Sequence, residues 1–306
     1  MDWTQKLKFH HLQILVTLAD QCNLTRVAEL MNITQPALSK WLTGLEEEVG
    51  IPLFERHSKG IRPTPGGLLV IKHARRILND LERSREDIEL FKGGVQGSLM
   101  VGSSPVATDI VAQAMLNLMQ DHPKIHLRIF ESVMTPLLEH LLLGQIDVVV
   151  GRIGGNALAL PLNYRVLYSE PICFVARCGH PLAAEKEVSW RQLAQWIWIV
   201  WPTGTPIRVS IDNALVANGM MMPPDHIESG SMSVSLRMLQ ASDMVGILSQ
   251  RLAQSYAAEK QLTILNLPHI AQQGSVGVFW RQNEQPSDVL QAFLDHLISL
   301  SQQSDK

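Results

Sequence analysis

Gln35, Ser39 and Thr43 recur at a spacing of four residues, with Thr34 and Lys40 beside them. On a helix this spacing makes one polar stripe, on a different face from the apolar Leu38, Leu42 and Leu45. A glutamine amide can pair bidentately with adenine, a short hydroxyl can reach a base or a phosphate, and a lysine can neutralise backbone charge. The chemistry suggested is the reading of double-stranded DNA. Downstream, Arg56, Lys59 and Arg62 put three cations on two short extended runs that flank Ser58-Lys59-Gly60, a hairpin-turn signal. Such a hairpin is a wing, whose tip can lie against a phosphate backbone or in a minor groove.

The elements that must position these residues follow from periodicity. Phe9, Leu12, Ile14, Leu15, Leu18 and Ala19 predict a helix from about Lys8 to Gln21. Thr25 is a candidate cap for a short second helix bearing Val27, Ala28, Leu30 and Met31, and Asn32 takes the helix-ending position. Thr34 is a good cap for a third helix, with Pro36 in its first turn, where a missing N–H costs nothing. Gly50 and Pro52 end that helix. Two helices joined by a tight turn form a helix-turn-helix, in which the second helix presents its first residues to the major groove.

Thr64 and Pro65 open a long helix that runs to about Phe91 and stops at Gly93-Gly94. Ile71, Ala74, Leu78, Leu81 and Ile88 form a heptad seam and are the candidate dimerisation residues. Gly66 and Gly67 weaken a helix start, so they are expected to mark a close contact there. After Gly97 apolar strands alternate with helices, which predicts a mostly parallel α/β sheet.

The totals agree with two or three domains: 306 residues, 46% apolar and 18% charged. Net charge is -3, but residues 1–79 hold ten Lys and Arg against seven acids, a basic head on an acidic body. Three cysteines without CxxC spacing predict neither a disulfide framework nor a zinc site, and no metal is expected. No cationic start leads into an apolar run and no stretch of about 20 apolar residues occurs, so a cytoplasmic protein without membrane contact is expected. The sequence has no GxSxG, GxxxxGK[ST], HExxH or strand-borne GxGxxG, and Pro123 separates His122 from His126, which argues against an enzyme. A plain solute-binding protein would lack any use for the head.

The segment carrying Ala28, Leu30, Gln35-Pro36-Ala37-Leu38-Ser39, Leu45-Glu46, Gly50, Pro52-Leu53-Phe54-Glu55-Arg56, Arg62, Thr64 and Gly66 resembles the LysR-type transcriptional regulators. Gly144-Gln145-Ile146-Asp147, Gly151-Arg152 and His180-Pro181-Leu182 extend the resemblance over nearly the whole chain. Val27, the bulky Trp41 and Gly67 depart from the usual pattern; Trp41 would either pack in the head or touch the DNA backbone. The resemblance implies an α+β multidomain protein. Residues 1–64 form a winged helix-turn-helix, 65–92 a linker helix that pairs two chains, and 95–306 an effector-binding domain with the α/β fold of type 2 periplasmic binding proteins. That domain would divide into subdomain I, 95–166 and 268–306, and subdomain II, 167–267, with chain crossings near Val166–Ser169 and Leu265–Pro268 and a ligand cleft between them. The resemblance places Thr25, Gln35, Ser39, Lys40, Arg56 and Arg62 at or near DNA. With the helix-turn-helix taken from about Asn23 to Leu42, the candidate DNA-binding set is Asn23, Leu24, Thr25, Arg26, Thr34, Gln35, Pro36, Ser39, Lys40, Thr43, Arg56, Lys59 and Arg62.

Within the effector domain, ligand groups are expected where strands end and helices begin, since free N–H groups and hydroxyls converge there. The candidates are Ser103, Ser104, Ser132, Met134, Arg152, Thr203, Thr205 and Ser231. No cofactor is expected beyond a small-molecule effector, a sugar or a small carboxylate. The expected partners are a promoter or operator with inverted-repeat half-sites, RNA polymerase, and a second or further copies of the chain as dimer or tetramer.

Overall fold

The computed structural model describes residues 3–57, 60–267, 274–282 and 285–303. Lys59 and Pro268, assigned above to the wing and to a crossing, lie outside the described residues. Contacts divide the chain into two units, Met1–Gly93 with Leu142–Gln145 and Gly94–Leu141 with Ile146–Lys306.

The first unit begins with α1 (Phe9–Gln21), α2 (Leu24–Leu30) and α3 (Gln35–Val49). The cap of α2 is Asn23, whose side chain accepts from the Arg26 N–H at 3.0 Å. Thr25, expected in that role, is already inside the helix. Thr34 caps α3 by accepting from the Ala37 N–H at 3.3 Å, and Gly50, with φ of 81°, closes it. Leu15, Leu18, Val27, Leu38 and Leu53 are fully buried in one core shared by the three helices. Strands β1 (Phe54–His57) and β2 (Gly60–Pro63) pair antiparallel as the wing hairpin. Glu46 Oε1 accepts from the N–H groups of Leu53 and Phe54 (2.7 and 2.9 Å), tying the end of α3 to the start of the wing.

Helix α4 (Pro65–Lys92) spans 28 residues, about 42 Å at 1.5 Å per residue. Thr64 caps it by accepting from Gly67 N–H at 2.9 Å. A Cβ on Gly67 would lie 1.9 Å from the Leu53 carbonyl oxygen, so glycine is what lets the helix start pack against the backbone before the wing. Two of the expected seam residues face inward. Ile71 is 3% exposed within the head core and Ala74 is 1% exposed, both buried in their own chain as α4 packs on α1. The heptad count located an apolar stripe but could not show that its first two members already have a partner. Ile77, Leu81, Ile88 and Phe91 are exposed, and Leu78 is half-buried.

The second unit contains two five-stranded sheets. Along the chain come β3 (Gly97–Ser103), α5 (Thr108–Asp121), β4 (Ile125–Glu131), α6 (Met134–Leu142), β5 (Val148–Arg152), α7 (Gly155–Leu158), β6 (Leu162–Glu170) and β7 (Ile172–Ala176). There follow α8 (Trp190–Leu193), β8 (Trp198–Val200), α9 (Pro206–Ala217), β9 (His226–Glu228), α10 (Met232–Ala241), β10 (Val245–Ser249), α11 (Gln250–Ala258), β11 (Thr263–Leu265), β12 (Gly274–Arg281) and α12 (Asp288–Gln303). The first sheet has the order β4-β3-β5-β12-β6 and the second β11-β7-β10-β8-β9.

Each sheet holds two parallel and two antiparallel pairings, so the expectation of mostly parallel sheets is corrected. The reversed strands are those that carry the chain from one sheet to the other and back. Strand β6 stays paired with β12 through Glu170, beyond the expected crossing at Val166–Ser169, and the second sheet starts after Pro171. Proline has no N–H to continue the ladder. The first sheet buries Leu99, Val101, Val148 and Val150 with Val111 and Leu118 of α5 and Phe293 and Leu297 of α12. The second is filled on one face around Phe174, Trp190 and Trp198, with Phe174 and Trp198 edge to face at 4.9 Å, and on the other around Val175, Ile199 and Leu239. No described helix is long and apolar enough to cross a membrane.

Candidate DNA-binding face and effector pocket

Thr25, Thr34, Pro36, Lys40 and Thr43 are exposed, Gln35 and Ser39 are half-buried, and Arg56 and Arg62 stand exposed on the two wing strands. The structure brings two of these together across elements: Arg56 Nη2 donates to Ser39 Oγ at 2.6 Å. A cation on the wing and a hydroxyl on the recognition helix are thereby held in one place before any ligand arrives. Two further members serve the fold. Asn23 spends its side chain on the α2 cap, and Leu24 is half-buried against the head core. Arg26 lies 3.5 Å from Glu29, an exposed pair worth little. Trp41 packs in the head, its ring 5.0 Å from that of His11 and against the core of α3. The wing is seated by Ile61 N–H donating to the Cys22 carbonyl at 3.0 Å, where a Cβ on Gly60 would lie 2.3 Å from that oxygen.

The second unit contains a small, partly open cavity. Its polar groups are Ser104, Arg152, Thr205 and Ser249, and its walls are Pro105, Val106, Val133, Met134, Trp201, Pro206, Ile207 and Leu252. Ser104 follows β3 and its N–H donates to the Val150 carbonyl at 2.9 Å. Arg152 ends β5, Thr205 precedes α9, and Ser249 ends β10. A Cβ on Gly151 would meet Ser104 Oγ and Met134 Sδ, each at 2.4 Å, so glycine there lets both side chains close over β5. Thr205 Oγ1 donates to the Pro202 carbonyl at 2.7 Å and fixes the turn into α9.

Arg152 is 3% exposed, and among the described residues none of its three guanidinium nitrogens has a hydrogen-bond partner. The hydroxyls of Ser104 and Ser249, equally buried, have none either. A carboxylate is nearby, but it is committed elsewhere. Glu170, fully buried, accepts from the Arg251 N–H at 2.9 Å, and its other oxygen is 3.1 Å from Arg251 Nε, while that guanidinium lies 4.1 Å over the Tyr168 ring. Burial pushes Arg152 below its usual value, and the charge of Glu170 offsets this in part. Burial likewise pushes Glu170 up, against the pull of Arg251. A guanidinium stays protonated even so. A buried charge without a hydrogen-bonding counter-ion costs several kcal/mol.

The helix-turn-helix region matches the model of the bacterial regulatory helix-turn-helix protein, lysR family, over residues 9–68, and residues 92–301 match the LysR substrate binding domain. The chain belongs to the LysR family of transcriptional regulators. It is 33% identical over 277 residues to the HTH-type transcriptional regulator GbpR of Azospirillum brasilense, covering 90% of this chain and 81% of that one. It is 30% identical over 284 residues to the HTH-type transcriptional regulator PcaQ of Agrobacterium fabrum, covering 92% and 91%. Full-length CbnR complexed with its target DNA shares the fold at a TM-score of 0.65 and 18% identity, over 96% of this chain and all of that one. As a LysR regulator the chain binds DNA through its N-terminal domain and has a C-terminal effector-binding domain; the family consists of regulators, not enzymes.

Of the effector residues expected in this LysR domain, Ser104, Met134, Arg152 and Thr205 line the cavity, and Ser103, Ser132, Thr203 and Ser231 do not. Ser103 is buried and donates to the Ser104 carbonyl at 3.2 Å, and the Ser132 N–H donates to the Ser103 carbonyl. Thr203 gives its hydroxyl to Glu228 at 2.8 Å, within a cluster that also holds Arg208 (2.7 Å to Glu228) and Asp212. Ser231 accepts from the Val234 N–H and caps α10. The strand-end rule would have found Ser249, which stands between β10 and α11 just as Ser104 stands after β3. Nothing in the local sequence marks the apolar walls, which come from four separate segments of the chain, most of them at helix starts. Among the described residues no group of three His, Cys, Asp or Glu is placed to hold a metal ion.

Proposed function

We propose that this LysR regulator reads an operator of inverted-repeat half-sites as a homodimer, or a dimer of dimers, and that a small molecule in the Arg152 cavity changes how it does so. The domain assignment is 1–64 for DNA, 65–92 for pairing and 95–306 for the effector. The observation that carries the reading is the 2.6 Å hydrogen bond from Arg56 to Ser39, which joins wing and recognition helix into one polar face. Gln35, Ser39 and Thr43 then meet base edges, and Lys40, Arg56 and Arg62 meet phosphates. Lys59 joins them by its place in the sequence.

The pairing surface is the outer stripe of α4. Ile77, Leu81, Ser84, Ile88 and Phe91 are spaced 4, 3, 4 and 3, and the four apolar members are all exposed. This is a heptad seam displaced from the one first counted, retaining Leu81 and Ile88. Two paired heads on one DNA face account for a two-fold-related operator. Closure on the effector would alter the spacing of the heads and their contact with RNA polymerase in the cytoplasm.

A mobility-shift titration of Gln35→Ala, Ser39→Ala and Arg56→Ala combined is the direct test. The triple variant is expected to melt like the parent and to lose operator binding by more than about 100-fold, since several groups that meet bases and phosphates go together. Normal promoter occupancy by the folded triple variant would end the reading.

A further inference from the structure

Three features of the cavity define what it takes. First, Arg152 is the one charged side chain among the described residues that line it. The carboxylate that offsets its burial, Glu170, lies outside the lining and has both oxygens directed at Arg251. Second, every free polar group can donate. Among the described residues the guanidinium of Arg152 and the hydroxyls of Ser104 and Ser249 have no partner, whereas the Thr205 hydroxyl and the Trp201 indole N–H are already given to the carbonyls of Pro202 and Ile247. Third, the rest of the wall is apolar: Val106, Val133, Met134, Ile207 and Leu252 present no side chain that could satisfy a ligand hydroxyl.

We propose that the effector is a small organic monoanion, a carboxylate on an apolar body, whose carboxyl oxygens accept from Arg152, Ser104 and Ser249. This rests on the cavity being the effector site. A planar carboxylate matches the fork of a guanidinium in two parallel hydrogen bonds and brings one negative charge to one unneutralised cation. A sugar would bury several hydroxyls against aliphatic walls, each losing its water without a replacement. A phosphate monoester would bring a second negative charge, for which no further cation lines the cavity among the described residues. Gly274 shapes the anchor: a Cβ there would meet Arg152 Nη1 at 1.7 Å, so the guanidinium rests in a cradle that glycine leaves open.

The experiment uses the full chain and a panel of probes: butyrate, hexanoate, benzoate and phenylacetate, the corresponding neutral amides, inorganic phosphate, and galactose. Melting temperature and calorimetric titration are read for the parent, Arg152→Met and Val133→Trp, the last to fill the cavity. At least one carboxylate is expected to raise the melting temperature of the parent, and its amide, phosphate and galactose are not. Arg152→Met is expected to weaken that carboxylate by about 30-fold or more while the ligand-free protein still melts cooperatively, and Val133→Trp to abolish it. Should Arg152→Met not fold, the carboxylate against amide contrast in the parent decides alone. The proposal is overturned if an amide binds as well as its acid, if phosphate or galactose outbinds every carboxylate, if Arg152→Met leaves carboxylate affinity intact, or if no carboxylate binds. Galactose binding that Val133→Trp removes would overturn the anion and keep the cavity as the effector site. A probe that binds all three proteins equally would overturn the cavity itself.

Discussion

Arg56 and Arg152 are the same residue used in opposite ways. Arg56 is exposed, already hydrogen-bonded to Ser39, and beside polar groups that water also reaches. Arg152 is buried, has no hydrogen-bond partner among the described residues, and borders a mostly apolar cavity. In water a cation is stable with or without a ligand, so a DNA-reading face can assemble from several weak, separable contacts. In an apolar cavity the cation is costly alone, so one ligand group can hold a large share of the binding free energy. On the proposed reading, the head recognises a long polymer by adding small terms, and the cavity would recognise a small molecule through one large term.

This contrast can be broken at several points. The largest expected effect is on the backbone that supports the head. Gly67→Ala places a methyl group 1.9 Å from the Leu53 carbonyl and should destabilise the head by about 3 kcal/mol. Thermal denaturation would show it, and an unshifted melting curve would mean that the helix start is not held as described. Next, Arg56→Ala should weaken operator binding about tenfold and reduce the slope of log affinity against log salt by about 1, with stability unchanged. An unaltered slope would remove Arg56 from the phosphate contacts.

Arg152→Met in the absence of ligand is expected to be neutral or to raise stability by about 1 kcal/mol, because a buried unpaired charge is replaced by an apolar chain of similar length. Marked loss of stability on denaturant unfolding would show that Arg152 is already paired and that the contrast with Arg56 is false. Leu81→Glu with Ile88→Glu should turn the assembly into monomers at micromolar concentration, as read by sedimentation, since both side chains are exposed on α4. A dimer that survives would place the pairing surface elsewhere. The smallest effect is reserved for Thr43→Ala, an exposed single hydroxyl, at about threefold or less in operator affinity.

Much of the head was legible because its signals are local. Thr34 caps α3, Gly50 ends it, and Thr64 caps α4 within a few residues of the positions they control. The lining of the cavity was half legible. Ser104, Arg152 and Thr205 were found by their places at strand and helix ends, but the same rule also selected Ser103, Thr203 and Ser231, whose groups are consumed by neighbours. A hydroxyl that caps a helix and one that awaits a ligand have the same sequence signature. The seam on α4 was misplaced by its first two members for a related reason: a heptad reports an apolar face, and Ile71 and Ala74 had already found theirs against α1.

By itself the sequence determined the elements of the head, the polar stripe on α3 and the cations of the wing, since caps, glycine stops and 3.6-residue periodicity act over a single turn. Only the tertiary structure decided which donors remain unsatisfied. Whether Arg152 is paired depends on Glu170 being held by Arg251, a residue 81 positions further along the chain. No local pattern reports a hydrogen bond already spent at that distance.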